Sequence, residues 1–159
     1  MLKKTIFIAV TLTICTTVFA QAGEEQNKEW VNQFYSKILN SGSVDLVDSL
    51  VSVNYIEHEP LPGFEPNKRG LKNFFIMMRT AFPDLNNNVK FMVAEGNKVV
   101  SYITMTGTHK GDYMGAPGTG KTFKIDVIDI IKVVNGKMTD HWGVGDYMTM
   151  MSQLDMDSH

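Results

Sequence analysis

Two short stretches of the sequence gather the side chains that could move protons. The first, Tyr55–Pro60 (YIEHEP), places an aromatic ring, an imidazole and two carboxylates at the end of an extended piece. The second, Asp140–Asp146 (DHWGVGD), closes the last predicted strand. Strand alternation there puts Asp140, Trp142, Val144 and Asp146 on one face and His141 and Gly143 on the other. A carboxylate beside a Trp ring in an apolar pocket would have its pKa raised by desolvation, which suits a general acid or base near neutral pH.

Other acid–base or nucleophilic groups are few. The spacing of His58, His109, His141 and His159 does not resemble a zinc site, and no G-x-S-x-G elbow marks a serine nucleophile. Each histidine can equally be a satisfied or exposed residue. Asp146 fits two roles equally well, a proton-transfer group or the N-cap of a short terminal helix.

An eight-residue match to the phosphate-binding loop of nucleotide-binding proteins covers Gly115–Thr122 (GAPGTGKT). A working loop of this kind opens a helix, whose amino-terminal N–H groups bind the phosphates. Here the next eight residues, FKIDVIDI, are rich in β-branched side chains and predict a strand. The sequence therefore predicts no nucleotide site, and instead a Gly-rich loop between two strands at the rim of a ligand site.

The periodicity predicts helices first and strands later, which is an α+β order. Helices are expected over residues 24–40, from Ser43 and from about Gly70 to Pro83, with a short one over 146–154. Strands are expected at Val89–Glu95, Val99–Lys110, Thr122–Val134 and Lys137–Val144. Asn135-Gly136 is typical of a type I′ turn and predicts that the last two strands pair antiparallel.

The first 22 residues have the layout of a secretory signal peptide, with Lys3 and Lys4 before the apolar run Thr5–Ala20. We expect a single domain over residues 23–159, in the periplasm or secreted, without a stable membrane anchor. Two lysines and the only cysteine, Cys15, would leave with the leader. Basic residues would then fall from 15 to 13 against 17 acidic ones, so the net charge would change from −2 to −4. That balance disfavours a nucleic-acid partner.

Several motifs together resemble the SnoaL-like polyketide cyclases of the nuclear transport factor 2-like superfamily. In the family's order they are YIEH (55–58), AFPDL (81–85), GTHKG (107–111), GAPGTGK (115–121), NGKM (135–138), DHWG (140–143) and QL (153–154). The resemblance implies a cone-shaped, curved antiparallel sheet wrapped around N-terminal helices, a cystatin-like roll, with a deep apolar pocket.

The resemblance also implies chemistry without a metal or organic cofactor. Characterised members close a polyketide ring by an intramolecular aldol reaction, in which an aspartate takes a proton from carbon. Asp146 matches that aspartate by motif position, and His141 and His58 match polar pocket positions. The residues expected to line the pocket are Tyr55, Trp142, His109, Phe75 and Met78.

Three functions remain open from the sequence. The first is an exported acid–base catalyst of the cyclase, isomerase or lyase type that acts on a small apolar carbonyl compound. The second is a non-catalytic exported protein that binds a small apolar ligand. The third is an accessory module whose sheet forms a homodimer interface.

Overall fold

Three of the four helices lie in about the first half of the chain, with one strand between the second and the third, and four consecutive strands and a last helix follow. A computed structural model describes residues 21–156. The four helices are α1 (residues 21–40, ending in the π-helical turn Tyr35–Asn40), α2 (Val47–Leu50, preceded by a 3-10 turn Val44–Leu46), α3 (Lys68–Ala81) and α4 (Tyr147–Gln153). The five strands are β1 (Val51–Glu57), β2 (Asn86–Glu95), β3 (Lys98–Thr108), β4 (Thr122–Val134) and β5 (Lys137–Gly145). The predicted leader, Met1–Ala20, lies outside the described residues.

Helix α3 shows how local sequence sets an element's limits. The side chain of Asn67 accepts hydrogen bonds from the backbone N–H groups of Arg69 and Gly70, so this N-cap starts the helix two residues before the predicted position. The helix ends at Ala81, two residues before Pro83. Its apolar stripe, which includes Phe75 and Met78, is buried.

The strands form one curved sheet in the order β1-β5-β4-β3-β2. Asn135 (φ 51°) and Gly136 (φ 70°) both adopt the left-handed conformation that a type I′ turn requires, and β4 and β5 pair antiparallel as predicted. The α+β fold class is confirmed. Strand β1 is the exception to antiparallel pairing, because it runs parallel to β5 along the sheet edge.

One face of the sheet packs on the helices and forms the core. It carries inward side chains such as Val99, Ile103, Ile125 and Ile131, and these pack with the helical stripe residues. Among residues 21–156, no helix is both long and apolar enough to cross a membrane.

The Gly-rich segment is a loop between β3 and β4, and a strand follows it at Thr122, as the sequence predicts. Backbone bonds from His109 N–H to Lys121 C=O and from Gly120 N–H to His109 C=O, both 2.8 Å, close the loop on itself. A third, from Lys110 N–H to Ala81 C=O, ties it to the end of α3.

Candidate active site

Two adjoining cavities lie between the helices and the inner face of the sheet. The outer cavity, of about 360 Å³, reaches the surface beside the segment that joins β1 to α3. The inner cavity, of about 90 Å³, is lined largely by core side chains. Both are lined by Glu57, Leu71, Phe74, His141 and Tyr147. These five residues therefore stand at the boundary between the outer cavity and the core.

A buried ionic cluster occupies this boundary. The imidazole of His141 lies between two carboxylates, with Nδ1 2.8 Å from Glu57 Oε2 and Nε2 3.4 Å from Asp129 Oδ1. All three side chains are less than one-fifth exposed, at 19%, 12% and 14%. Three different strands supply them, because Glu57 ends β1, His141 is in β5 and Asp129 is in β4.

Two tyrosines support the carboxylates from the core side. The hydroxyl of Tyr55 donates a 2.6 Å hydrogen bond to Glu57 Oε2, and that of Tyr35 donates a 3.1 Å bond to Asp129 Oδ2. Burial, together with the neighbouring negative charges, raises the pKa of both phenols. Both hydroxyls therefore keep their protons and act as donors.

The two carboxylates decide the charge of His141. Burial alone would lower the pKa of its imidazole, but hydrogen bonds and charge interactions with Asp129 and Glu57 outweigh burial and raise the pKa to about 10. Burial raises the pKa of Glu57, yet His141 and Tyr55 outweigh it and leave that pKa below its ordinary value. At neutral pH the cluster is thus an imidazolium between two carboxylates.

The two carboxylates differ in how fully they are hydrogen-bonded. Glu57 accepts bonds from Tyr55, His141 and the backbone N–H of Glu59. Asp129 accepts a bond from Tyr35, and its Oδ1 contacts His141 Nε2 at the longer distance of 3.4 Å. Asp129 also lines the inner cavity, and with fewer close donors than Glu57 it has more room to accept a proton from a ligand there.

The absence of a side chain at residue 143 keeps the cluster accessible. A Cβ at Gly143 would lie 2.9 Å from His141 Cε1 and 3.1 Å from Asp129 Oδ1. Gly143 also lines the outer cavity. Any larger residue would press on the imidazole and fill the space in front of the carboxylate.

Tyr147 presents a hydroxyl that makes no hydrogen bond to any residue between 21 and 156. Burial, with contributions from the charges of Asp129 and Glu57, raises the pKa of this phenol, so it stays protonated. Tyr147 lines both cavities. Its O–H is the kind of donor that could bind a carbonyl or enolate oxygen. Within the described part of the chain, no group of three or more ligating side chains is arranged to hold a metal ion.

Comparison with known proteins identifies the family. Residues 29–154 match the SnoaL-like polyketide cyclase family. The chain belongs to the SnoaL-like polyketide cyclase family. The aklanonic acid methyl ester cyclase DnrD of Streptomyces peucetius is 29% identical over 119 residues, which are 72% of this chain and 81% of DnrD. The nogalonic acid methyl ester cyclase of Streptomyces nogalater is 25% identical over 117 residues, 72% of this chain and 87% of that enzyme.

Solved structures agree with this assignment. TsrD from Streptomyces laurentii has a TM-score of 0.71 at 25% identity, over 81% of this chain and 94% of TsrD. IdmH from Streptomyces antibioticus has a TM-score of 0.70 at 26% identity, over 82% of this chain and 99% of IdmH. The resemblance inferred from the motifs is thereby confirmed, as are the cone-like fold and the cyclase-type family.

The structure brings three of the predicted site residues to the cavities of this SnoaL-like protein. His141 lines both cavities, while Phe75 and Met78 line the inner one. Tyr55 is buried and lines neither cavity, and its hydroxyl contacts the site through the hydrogen bond to Glu57.

Trp142 and His58 lie on the other side of the sheet from the cavities, which differs from the expected pocket position. Their rings stack at 4.1 Å on the outer face, and His58 Nε2 lies 3.1 Å from Asp140 Oδ1. The cause is strand alternation: His141 lines both cavities and faces inward, so the adjacent Trp142 must face outward.

His109 is fully buried beneath the Gly-rich loop and lines neither cavity. The backbone N–H of Thr119 donates to its Nδ1 at 3.3 Å, and its ring packs on Phe82. These contacts hold the loop in place, whereas the family resemblance implied that His109 lines the pocket.

Asp146 follows β5 on the solvent side. Its side chain is exposed and accepts a 3.2 Å hydrogen bond from the backbone N–H of Thr149, which makes it the N-cap of α4. It lines neither cavity. The geometry thus matches the second role that the sequence left open for this residue, while its role in proton transfer stays a prediction.

Sequence reasoning gave no role to Asp129, Tyr35, Tyr147 or Glu57. A signal for Asp129 was present, because the inward positions of β4 read Phe, Ile, Val, Asp, Ile, Val, with one carboxylate in an apolar row. Glu57 stood in a stretch that the sequence singled out, but nothing there distinguished it from Glu59. Tyr35 and Tyr147 carried no such signal, because aromatic residues at helical positions are typical of a core.

Proposed function

We propose that this protein is an exported, cofactor-free acid–base catalyst of the cyclase type, acting on a small apolar carbonyl compound held in the two cavities. The observation that carries the proposal is the buried Glu57–His141–Asp129 cluster at the point where the cavities meet. Ionisable groups whose pKa values are shifted by desolvation and by specific charged partners, beside a cavity, are typical of catalytic sites.

In the proposed reaction Asp129 takes the proton from a carbon next to the substrate's carbonyl group. Asp129 lines the inner cavity, and its Oδ1 makes only the longer, 3.4 Å contact with His141 Nε2. The adjacent His141 imidazolium offsets the negative charge of Asp129 before the reaction and that of the enolate after it.

Tyr147 is proposed to donate its free hydroxyl to the oxygen on which enolate charge develops. The enolate carbon then attacks a second carbonyl carbon of the same molecule, so that one C–C bond forms. The new alkoxide recovers the proton that Asp129 accepted. Atoms and charge balance without an oxidant or reductant, as in an intramolecular aldol reaction.

The lining favours an uncharged ligand. Glu57, Glu59 and Glu65 face the outer cavity, and neither cavity has a lysine or arginine among its described lining residues. A carboxylate substrate would enter against these charges, and the imidazolium of His141, the cation among the described lining residues, is already held between Glu57 and Asp129. An uncharged ester or ketone would experience neither the charge repulsion nor the loss of ionic hydration. This agrees with the methyl esters named for two relatives.

A proton-exchange assay tests the catalytic step directly. We expect the protein to exchange the α-hydrogens of 2-tetralone, a small neutral ketone, for deuterium in D₂O, as followed by NMR. Asp129→Asn should lower this rate by about 10²–10⁴ while binding of the ketone persists. Asp140→Asn is the matched control, because Asp140 lies on the outer face of the sheet beside His58.

The same assay separates the alternatives. A large loss in Asp146→Asn with none in Asp129→Asn would assign the base to Asp146. If the wild-type protein binds 2-tetralone and aklanonic acid methyl ester but transforms neither, the exported binding-protein function replaces the catalytic one.

Export is tested by measuring the intact mass of the protein outside the cytoplasm. We expect the mature chain to start at Gln21 or Gly23, and a full-length cytoplasmic product would contradict export.

A further inference from the structure

A buried asparagine on strand β2 lines the inner cavity. Asn87 is 7% exposed, and its neighbours in the cavity wall include the apolar side chains of Leu85 and Met105. Met105 lies directly across from it on β3. Inward positions of a strand usually carry apolar side chains, so an amide at this position needs an explanation.

The backbone of Asn87 is hydrogen-bonded independently of its side chain. Its N–H donates a 2.7 Å bond to Asn40 Oδ1, and its C=O accepts a 3.1 Å bond from Asn40 Nδ2. Asn40 ends the π-helical turn that begins at Tyr35, and Tyr35 donates its hydroxyl to Asp129. Turns of this kind within α-helices are frequent at functional sites. One turn of α1 therefore supports both Asn87 and the ionic cluster.

The side-chain amide of Asn87 is left nearly without partners. Its Nδ2 lies 3.5 Å from Asn40 Oδ1, which already accepts the shorter bond from the backbone. No residue between 21 and 156 donates a hydrogen bond to its Oδ1. The opposite orientation of the amide would place two oxygens against each other at Asn40, so the amide oxygen is the atom left to bind another group. A buried amide without partners is costly, and a leucine of similar size would avoid that cost.

We propose that Asn87 binds a hydroxyl group of the substrate in the inner cavity and so determines which substrates are accepted. A hydroxyl group matches both halves of the amide, because it can donate to Oδ1 and accept from the free N–H of Nδ2. An ionised group would instead lose its hydration beside Leu85 and Met105. The inference rests on the proposed function and narrows its substrate to an uncharged carbonyl compound that carries a hydroxyl group.

The sheet places this hydroxyl group far from the reacting carbon. Asn87 is in one cross-strand row with Met105 and Ile125, and Ile125 is four residues from Asp129 on β4. Two strand spacings of about 4.8 Å and four rises of about 3.3 Å give roughly 16 Å between the Cα atoms of Asn87 and Asp129 on a flat sheet. Curvature and the inward side chains shorten this span. The hydroxyl group and the reacting carbon should thus be at opposite ends of the substrate.

The volume of the inner cavity limits what can reach Asn87. At about 90 Å³ it is smaller than the cavity of about 150 Å³ that holds benzene in another protein. One edge of a ring or a short chain can therefore enter, while the rest of the substrate occupies the outer cavity of about 360 Å³.

Two probes of nearly equal size test this binding without catalysis. Phenol carries a hydroxyl group where toluene carries a methyl group. We expect Asn87→Leu to change the ratio of their dissociation constants by about tenfold in favour of toluene. Asn88→Leu is the matched control, because it makes the same change at the next residue of β2, which is exposed, and it should leave the ratio unchanged.

Two further measurements separate ligand binding from folding. In urea denaturation Asn87→Leu should cost little stability, because it replaces an amide without partners by an apolar group. In the wild type, phenol should move the NMR signals of the Asn87 side-chain amide more than toluene does, a readout that needs no variant.

Ketone exchange then connects the inference to the reaction. For p-hydroxybenzylacetone over p-methylbenzylacetone, the preference in kcat/KM for deuterium exchange should fall by about tenfold in Asn87→Leu, with exchange of the methyl compound retained. If the wild type exchanged neither ketone, the proposed function would fail while the phenol measurements still decided the role of Asn87. A ratio for phenol and toluene that Asn87→Leu leaves unchanged, or Asn87 amide signals that do not respond to phenol, would overturn the proposal.

Discussion

His141 should remain a cation well above neutral pH, and removing either neighbouring carboxylate should change that. A pKa of about 10, against 6.5 for an ordinary histidine, corresponds to about 5 kcal/mol in favour of the protonated ring. Glu57→Gln and Asp129→Asn each remove one charge and one acceptor, so each should lower the pKa of His141. In the variant with both changes only burial remains, and the pKa should fall below 6.5.

The assay is an NMR titration of the histidine ring nitrogens between about pH 5 and 11. Asp140→Asn serves as the control, because it removes a carboxylate from β5 on the opposite face of the sheet and should leave His141 unchanged. A wild-type His141 that titrates below about pH 7 would refute the reasoning, since the imidazole would then be neutral and could itself act as the base.

The protonation of His141 should also affect the stability of the folded protein. The pKa of His141 is higher in the folded than in the unfolded protein, so its contribution is fully present below about pH 6.5 and is lost as pH rises through about 10. The free energy of unfolding should therefore fall over that window, and by less in Asp129→Asn. Urea denaturation at about pH 7 and pH 10 measures the difference, and equal losses in both proteins would contradict the assignment.

Substitutions at three further positions test separate parts of the structure. Gly143→Ala should disturb the ring of His141 and reduce 2-tetralone binding, because the added Cβ would lie 2.9 Å from Cε1; unchanged binding and an unchanged pKa of His141 would refute this. Asp146→Ala should cost about 0.5–2 kcal/mol in urea denaturation through loss of the α4 cap, whereas Asp146→Asn, which can still cap, should cost less; equal effects would argue against capping. Lys121→Ala should leave stability and ketone exchange nearly unchanged, and magnesium-dependent ATP binding that this variant abolishes would overturn the loop assignment.

The fold could be predicted from the sequence because its local signals agree with one another. The type I′ turn at Asn135-Gly136 and the β-branched run after Thr122 each determine a strand limit without help from distant residues. The parallel pairing of β1 with β5 could not be predicted in this way. It joins residues far apart in the chain, such as Glu57 and His141, and depends on packing that no short stretch encodes.

The candidate site was only partly predictable, for a related reason. Motif position drew attention to His141 and Asp146, but the proton-accepting role proposed here belongs to Asp129, on the neighbouring strand. A residue's chemistry depends on its hydrogen bonds and burial, and the bond from Tyr35 to Asp129 spans 94 positions in sequence. The alternating pattern of β5 was visible, whereas the face that lines the cavities was decided by where the helices pack.

Because the helices pack on one face of the sheet, the side chains of strand β5 lie in two different environments. Its inward residues, His141 and Gly143, line the outer cavity, and its outward residue Trp142 lies on the opposite face of the sheet; Val144, near the strand end, is exposed and also borders the outer cavity. Because successive side chains of a strand point to opposite faces, a substitution at one position can alter the ionic cluster while its neighbour alters only the outer face. If Trp142→Ala left ketone exchange and the pKa of His141 unchanged while Gly143→Ala lowered the exchange rate, the two faces of the sheet would act independently. An equal effect of both substitutions on ketone exchange would instead mean that the sheet transmits changes between its faces.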